Sequence, residues 1–91
     1  MIKKVHIFIS GKVQGVFFRH EAKLHAKNLY INGWLKNLPD KRVEIVAQGE
    51  EENLKEFIDW CVNGPKDSKV ENIKYMWKTP NNVDNGFEIV S

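Results

Sequence analysis

The sequence predicts one α+β domain in which two helices cover one face of a mostly antiparallel sheet. Apolar residues recur at helical spacing in two segments and alternate in the segments between them, in the order β-α-β-β-α-β plus a short last strand. Such elements bury one sheet face beneath both helices, which is the ferredoxin-like split βαβ arrangement. We expect residues 1–91 to form a single domain.

The first half of the chain carries three strands and one helix. Alternation of apolar and polar residues predicts the first strand in VHIFIS (5–10). The second strand is predicted in INGWLKN (31–37) and the third in RVEIVAQG (42–49). Leu38 to Lys41 form the hairpin between the latter two. A stripe at helical spacing predicts the first helix; its members are Phe18, Ala22, His25, Ala26 and Leu29.

The second half adds a helix and two strands. Apolar residues at i, i+3, i+4, i+7 and i+8 predict a helix over about 51–62, which Gly64-Pro65 ends. The helical stripe is Leu54, Phe57, Ile58, Cys61 and Val62. We also predict a strand over residues 69–77 and a short last strand over 86–90. The polar loop TPNNVDNG joins the two.

The composition fits this domain and excludes other classes of protein. Hydrophobic residues make up 42% of the chain, with three Trp and five Phe, which is too apolar and aromatic for a disordered chain. A net charge of +2 is too small to indicate a nucleic-acid partner. The single cysteine, Cys61, excludes an internal disulfide and suits a reducing compartment. With no signal peptide or membrane span, we expect a cytoplasmic protein without a membrane partner.

The segment GKVQGVFFR (11–19) is the first candidate site. Gly11 and Gly15 permit positive φ and close approach of the backbone to a ligand. Amides of a tight strand-to-helix loop form an anion site, to which a helix N-terminus adds positive charge. Arg19 in the first helical turn opposes the helix dipole by ~0.3–1 kcal/mol, yet suits a bound phosphate. A surface arginine beside a tight turn would explain the same residues, so this segment alone decides nothing.

Two motifs together resemble the acylphosphatase family over nearly the whole chain. The first, Gly-x-Val-Gln-Gly-Val-x-Phe-Arg, is carried by Gly11, Val13, Gln14, Gly15, Val16, Phe18 and Arg19. The second begins Gly-aromatic-x-x-Asn and is carried by Gly33, Trp34, Asn37, Val43 and Gly49. The segment GPKDSKVENI is similar to the family's loop after the second helix, and GFEI to its last strand.

The resemblance implies hydrolysis of the carboxyl–phosphate bond of small acyl phosphates, releasing inorganic phosphate, without metal or cofactor. Arg19 would match the family's phosphate-binding arginine, and Asn37 the asparagine that orients the attacking water. The phosphate-binding loop would comprise Lys12, Val13, Gln14, Gly15, Val16 and Phe17. We expect a monomer.

This chemistry suits a chain without an obvious catalytic carboxylate–histidine pair. The leaving group is a carboxylate whose pKa is about 4–5, so its departure needs no strong acid. Phosphoryl transfer asks mainly for positioning and charge stabilisation. An amide such as that of Asn37 holds water as donor and acceptor without being a base. Which group takes the water's proton stays open; the substrate's own phosphate is one candidate.

Three positions depart from the family's usual pattern. Tyr30 and Lys41 stand where glycine is common, and a left-handed backbone at either costs roughly 1–2 kcal/mol. Lys41 alternatively indicates a different turn. Leu35, larger than the usual residue there, lies two residues before Asn37 on the same strand face, where it would crowd the pocket and lower activity.

The other chemistry-bearing side chains are expected to be structural or solvated. His20 and His25 are five residues apart on a helix and cannot share a metal at i, i+4 spacing; His6 lies on a strand. Cys61 on its apolar stripe is expected to be a buried, inert thiol. Core or rim packing is expected of Trp34, Trp60 and Trp77.

Two other functions fit this fold. RNA-recognition domains use aromatic residues on the first and third strands of the exposed sheet face, but here the third strand has none. A catalytically weak relative acting as an accessory binding domain is the second alternative, as acylphosphatase-like modules in larger carbamoyl-transfer proteins suggest. The complete pair of Arg19 and Asn37 favours an enzyme.

Overall fold

The elements follow the predicted order, with both helices on one side of a five-stranded sheet. The computed structural model describes residues 1–82 and 85–90; residues 83–84 of the predicted polar loop and residue 91 of the predicted domain lie outside it. The elements are β1 Ile2–Lys12, α1 Phe18–Asn28, β2 Asn32–Asn37, β3 Val43–Glu50, α2 Glu51–Asn63, β4 Lys69–Lys78 and β5 Phe87–Ile89. The predicted ferredoxin-like fold is confirmed. None of the described helices is long and apolar enough to cross a membrane.

The sheet has the strand order β4-β1-β3-β2-β5. β1 pairs antiparallel with both β3 and β4, and β2 pairs antiparallel with β3. β5 pairs parallel with β2, so that Ile89 stands beside Leu35. In the β1–β4 ladder Val5 lies opposite Trp77, which joins residues from near the two ends of the chain.

The core lies between the helices and the sheet because alternating strand residues and the two helical stripes face each other. The fully buried strand residues include Val5, Ile7 and Ile9 in β1 and Val43, Ile45 and Ala47 in β3. Phe18 from α1 and Phe57 from α2 pack over them, and both are buried. Burial of these aromatic rings contributes a large share of the hydrophobic stabilisation in so small a domain.

Two turns hold non-glycine residues in the left-handed conformation, at the departures noted in the sequence. Tyr30 has φ 55° and closes α1 as the residue after the cap in a Schellman motif. Lys41 has φ 76° and ends the three-residue hairpin loop between β2 and β3. Both positions therefore carry a backbone cost of roughly 1–2 kcal/mol.

Gly11 has the positive φ that its motif predicts, and the close approach seen there is to the β4 backbone. The β1–β4 register shifts between Ser10 and Gly11, and Gly11 has φ 123°. A Cβ at this position would lie 2.1 Å from the backbone oxygen of Lys69. The glycine is required because the β4 backbone passes close to it at a bulge.

Candidate active site

The loop between β1 and α1 carries a run of unsatisfied backbone donors. Val13 N–H donates to the oxygen of Gly11 over 3.0 Å, but the next four N–H groups, those of residues 14–17, meet no acceptor among the described residues. Gly15 has φ 74°, with open space where a Cβ would stand. No side chain caps α1, so its first-turn N–H groups add to the set. Consecutive free amides of this kind form a site for an anion.

Phe17 makes the turn from the loop into α1. Its φ of 62° and ψ of 16° are left-handed, which costs a non-glycine residue roughly 1–2 kcal/mol. Val16 and Phe18 on either side are buried, whereas the Phe17 side chain is 75% exposed. The turn thus rotates one aromatic ring out of the core at the edge of the anion site.

Arg19, in the first turn of α1, lines a cavity of about 280 Å³ together with this loop. The lining residues are Val13, Gly15, Phe17, Phe18, Arg19, His20 and Ile89. Ion pairs in the described part of the chain use other cations. The guanidinium is therefore available to an anionic ligand, to which it can donate two parallel hydrogen bonds.

Gln14 ties the loop to the β2–β3 hairpin. Its Nε2 donates to the backbone oxygens of Leu38 and Arg42, each over 3.0 Å. Leu38 directly follows Asn37, the last residue of β2. The end of β2 is thereby held beside the loop.

Asn37 has a buried side-chain oxygen, Oδ1, for which the described residues provide no hydrogen-bond donor. Buried polar atoms in proteins are nearly always paired, and an unpaired one costs about 1–3 kcal/mol. Such an acceptor is suited to a water or substrate O–H group.

The structure brings some of the predicted site residues together and leaves others outside the cavity. Val13, Gly15, Phe17 and Arg19 line it together. The remaining predicted site residues, Lys12, Gln14, Val16 and Asn37, are not part of the lining. Gln14 and Val16 hold the loop through hydrogen bonds and burial, while Lys12 is an exposed residue at the end of β1.

Leu35 does not crowd this cavity. Its side chain is fully buried in the core and is not among the lining residues. The strand face that it shares with Asn37 points toward the helices, and the shared core takes up its larger side chain. Leu35 therefore does not narrow this cavity, and the expected loss of activity stays a prediction.

His20 is a lining residue that the sequence analysis did not assign to the site. Its side chain is exposed, and its place directly after Arg19 in the first helical turn was the available signal. The other two histidines are structural: His6 lies 2.7 Å from a Glu44 carboxylate oxygen, and the His25 ring stacks on Trp60 at 4.5 Å.

Cys61 is the free thiol of α2, and it is buried as predicted. Burial raises the pKa of this thiol well above its usual range, because the thiolate would lose its solvation. A thiol that stays protonated is a poor nucleophile. Cys61 therefore belongs to the core and takes no part in the site.

The family model for acylphosphatase matches residues 5–89. The chain belongs to the acylphosphatase family. It is 40% identical over 87 residues to the acylphosphatase of Roseiflexus sp. (strain RS-1). The aligned region covers 96% of this chain and 94% of the relative. The crystal structure of the acylphosphatase from Bacillus subtilis gives a TM-score of 0.94 at 36% identity over 100% of both chains.

Acylphosphatase-like structure also occurs within a longer chain. The structure of HypF from T. kodakarensis gives a TM-score of 0.84 at 32% identity, over 98% of this chain and 12% of that one. Membership of the acylphosphatase family confirms the resemblance seen in the two motifs and makes the protein a hydrolase, as predicted.

Proposed function

We propose that the protein hydrolyses small acyl phosphates to a carboxylate and inorganic phosphate, without metal or cofactor. One observation carries the proposal: four consecutive N–H groups without an acceptor among the described residues lead into a helix whose Arg19 lines the same cavity as Gly15 and Phe17. These donors suit a phosphoryl group, whose oxygens gain negative charge in the transition state. The name of the Roseiflexus relative, 94% of which aligns with this chain, supports the same substrate class.

The reaction displaces a carboxylate from phosphorus. The water oxygen forms a bond to phosphorus while the phosphorus–oxygen bond to the acyl group breaks, and that electron pair leaves on the carboxylate. Both water protons end on inorganic phosphate, first as dihydrogen phosphate, so no side chain has to retain one. Because the leaving carboxylic acid has a pKa of about 4–5, the carboxylate departs unprotonated.

Arg19 and the loop amides would bind the phosphoryl oxygens in the substrate and bind them more tightly in the transition state. The guanidinium is the charged donor and provides a bidentate pair of N–H groups. The amides of residues 14–17 add fixed dipoles that need no reorganisation during the reaction.

Asn37 would hold the attacking water. A side-chain amide can donate to water and accept from it, and the Oδ1 of Asn37 has no donor among the described residues. The two hydrogen bonds from Gln14 to the hairpin keep the end of β2 beside the phosphoryl site. Positioning of this kind is the larger part of what phosphoryl transfer requires.

Phosphate release from benzoyl phosphate in the presence of EDTA tests the proposal. Arg19→Gln should raise KM and the inhibition constant of inorganic phosphate and lower kcat/KM by roughly 10²–10³-fold. Asn37→Ala should lower kcat by about 10²-fold with little change in KM. Lys27→Gln, an exposed change on the same helix, serves as the control and should match wild type. Equal rates in all four proteins would rule out this mechanism.

An accessory binding role is the second candidate, favoured by the likeness to a small part of HypF. Such a domain would bind phosphate through Arg19 without turning over benzoyl phosphate, so the same assay separates the two functions. We also propose that the protein acts as a cytoplasmic monomer. Its free thiol suits a reducing compartment. Size-exclusion chromatography with substrate in the running buffer measures the molecular mass of the active protein and so tests the proposed monomer.

A further inference from the structure

The cavity beside Arg19 has an apolar side, and apolar side chains offer no hydrogen-bond donor to a phosphoryl group. Phe17 and Ile89 both line it, with 75% and 38% of their surfaces exposed. We infer that these two side chains form the binding site for the acyl group, so that the protein prefers acyl phosphates with an apolar acyl group. The inference rests on the proposed function and concerns the acyl group, the part of the substrate that the phosphate site does not contact.

Phe17 contributes little to stability where it stands. Its ring is mostly in solvent while its backbone holds a left-handed conformation that glycine or asparagine would adopt at lower cost. Strained residues of this kind cluster at ligand sites, where the strain fixes a side chain in place. An aromatic ring fixed at the mouth of an anion site is placed to contact what the anion carries.

Ile89 reaches the same cavity from the other end of the chain. It pairs with Leu35 in the parallel β2–β5 ladder, and Asn37 lies two residues further along that face of β2. Two strand residues span about 6.6 Å, so Ile89 lies within one small molecule's length of the proposed water site. A phosphoryl group bound at Arg19 therefore places its acyl group in the cavity that Ile89 also lines.

The direction of the reaction sets a condition for this assignment. In-line displacement puts the leaving carboxylate on the opposite side of phosphorus from the attacking water. Phe17 and Ile89, which line the cavity, must therefore contact the substrate on the side of phosphorus away from Asn37, which does not line it. The volume of about 280 Å³ is slightly below the range of pockets for drug-sized ligands, which suits a benzoyl or short aliphatic group.

The test compares kcat/KM for benzoyl phosphate and for acetyl phosphate, using the ratio of the two values in each protein. Ile89→Ser should lower the ratio roughly tenfold by slowing benzoyl phosphate, because one apolar contact discriminates by about 10-fold or more. Val90→Ser is the matched control, since Val90 is the next residue, is 37% exposed and lines a different cavity. It should keep the wild-type ratio.

Phe17→Asn provides a second, independent variant. Asparagine accepts the left-handed backbone, so the fold is retained while the ring is removed, and the ratio should again fall several-fold. Wild-type ratios in both variants, or equal losses on both substrates, would overturn the inference. Failure of the proposed function gives a different result: wild-type protein would release phosphate from neither substrate, or Arg19→Gln would change neither rate.

Discussion

Gln14 Nε2 donates a hydrogen bond to the backbone oxygen of Leu38 over 3.0 Å. This bond and the second one, to Arg42, connect the proposed phosphate-binding loop to a hairpin more than twenty residues away. Both acceptors also receive backbone N–H groups within the hairpin. Because the backbone oxygens of Leu38 and Arg42 already have partners, the main effect of the Gln14 side chain is to fix the loop against the hairpin.

Gln14→Ala should lower both stability and activity. Loss of the two hydrogen bonds should reduce the free energy of unfolding by about 1–2 kcal/mol, and the looser hairpin should reduce kcat for benzoyl phosphate. Urea denaturation and steady-state kinetics measure the two effects. Gln48→Ala is the control: Gln48 exchanges two hydrogen bonds with Asn81 on another surface, so its loss should leave kcat unchanged. Unchanged kcat in Gln14→Ala would mean that the bonds serve stability alone.

Asn37→Leu should separate stability from activity. Leucine has a similar size and removes the unpaired buried oxygen, whose cost is about 1–3 kcal/mol. We therefore expect the free energy of unfolding to rise by about 1 kcal/mol while phosphate release falls by at least 10²-fold. Thermal unfolding and the benzoyl phosphate assay are the measurements. A destabilised Asn37→Leu protein would indicate that Oδ1 has a structural partner such as a bound water.

Tyr30→Gly and Lys41→Gly should each stabilise the protein. Glycine removes a left-handed cost of roughly 1–2 kcal/mol and adds back about 0.5–1 kcal/mol of backbone entropy. The net gain of about 0.5–1 kcal/mol corresponds to a rise in Tm of about 2–8 °C, with kcat/KM unchanged because neither residue lines the cavity. Leu24→Gly in the middle of α1 is the control and should destabilise by about 1 kcal/mol. A lower Tm in both turn variants would contradict the claim that the left-handed backbone at Tyr30 and Lys41 destabilises the protein.

Gly11→Ala and Gly15→Ala should differ in kind although both glycines belong to one motif. A Cβ at position 11 would strike the Lys69 backbone oxygen at 2.1 Å, so this variant should lose about 3 kcal/mol or more. Position 15 has open space around it, so Gly15→Ala should lose only about 1–2 kcal/mol and remain folded with weaker phosphate binding. Chemical denaturation and phosphate inhibition test the pair, and equal losses of stability would refute the distinction.

The elements of this fold were predictable because their signals are local. The stripe around Phe18 and Ala22 and the alternation from Val5 to Ile9 require only neighbouring residues, and each appears where it was expected. Arg19 was identifiable because its cost to the helix dipole is also a local property. The family's motifs added Asn37, which local patterning would have left as an ordinary strand residue.

What could not be predicted depends on partners distant in sequence. The two acceptors of Gln14 and the β4 backbone beside Gly11 are brought close only by the finished sheet. The same holds for Ile89, whose place at the cavity follows from the parallel pairing of β5 with β2. The full burial of Leu35 is a further case: its strand face was predictable, but the depth of the core above that face was not.

The pairing of Val5 with Trp77 has a consequence for how the protein acquires activity. Contacts between residues so far apart in sequence raise the contact order, and domains that combine helices and strands fold more slowly than helical bundles. β1 leads directly into the proposed phosphate-binding loop, so we expect the loop to become ordered only after the last long strand has been synthesised and has docked. A nascent chain that still lacks β4 should therefore have no hydrolytic activity, even though every residue from Lys12 to Asn37 has already left the ribosome.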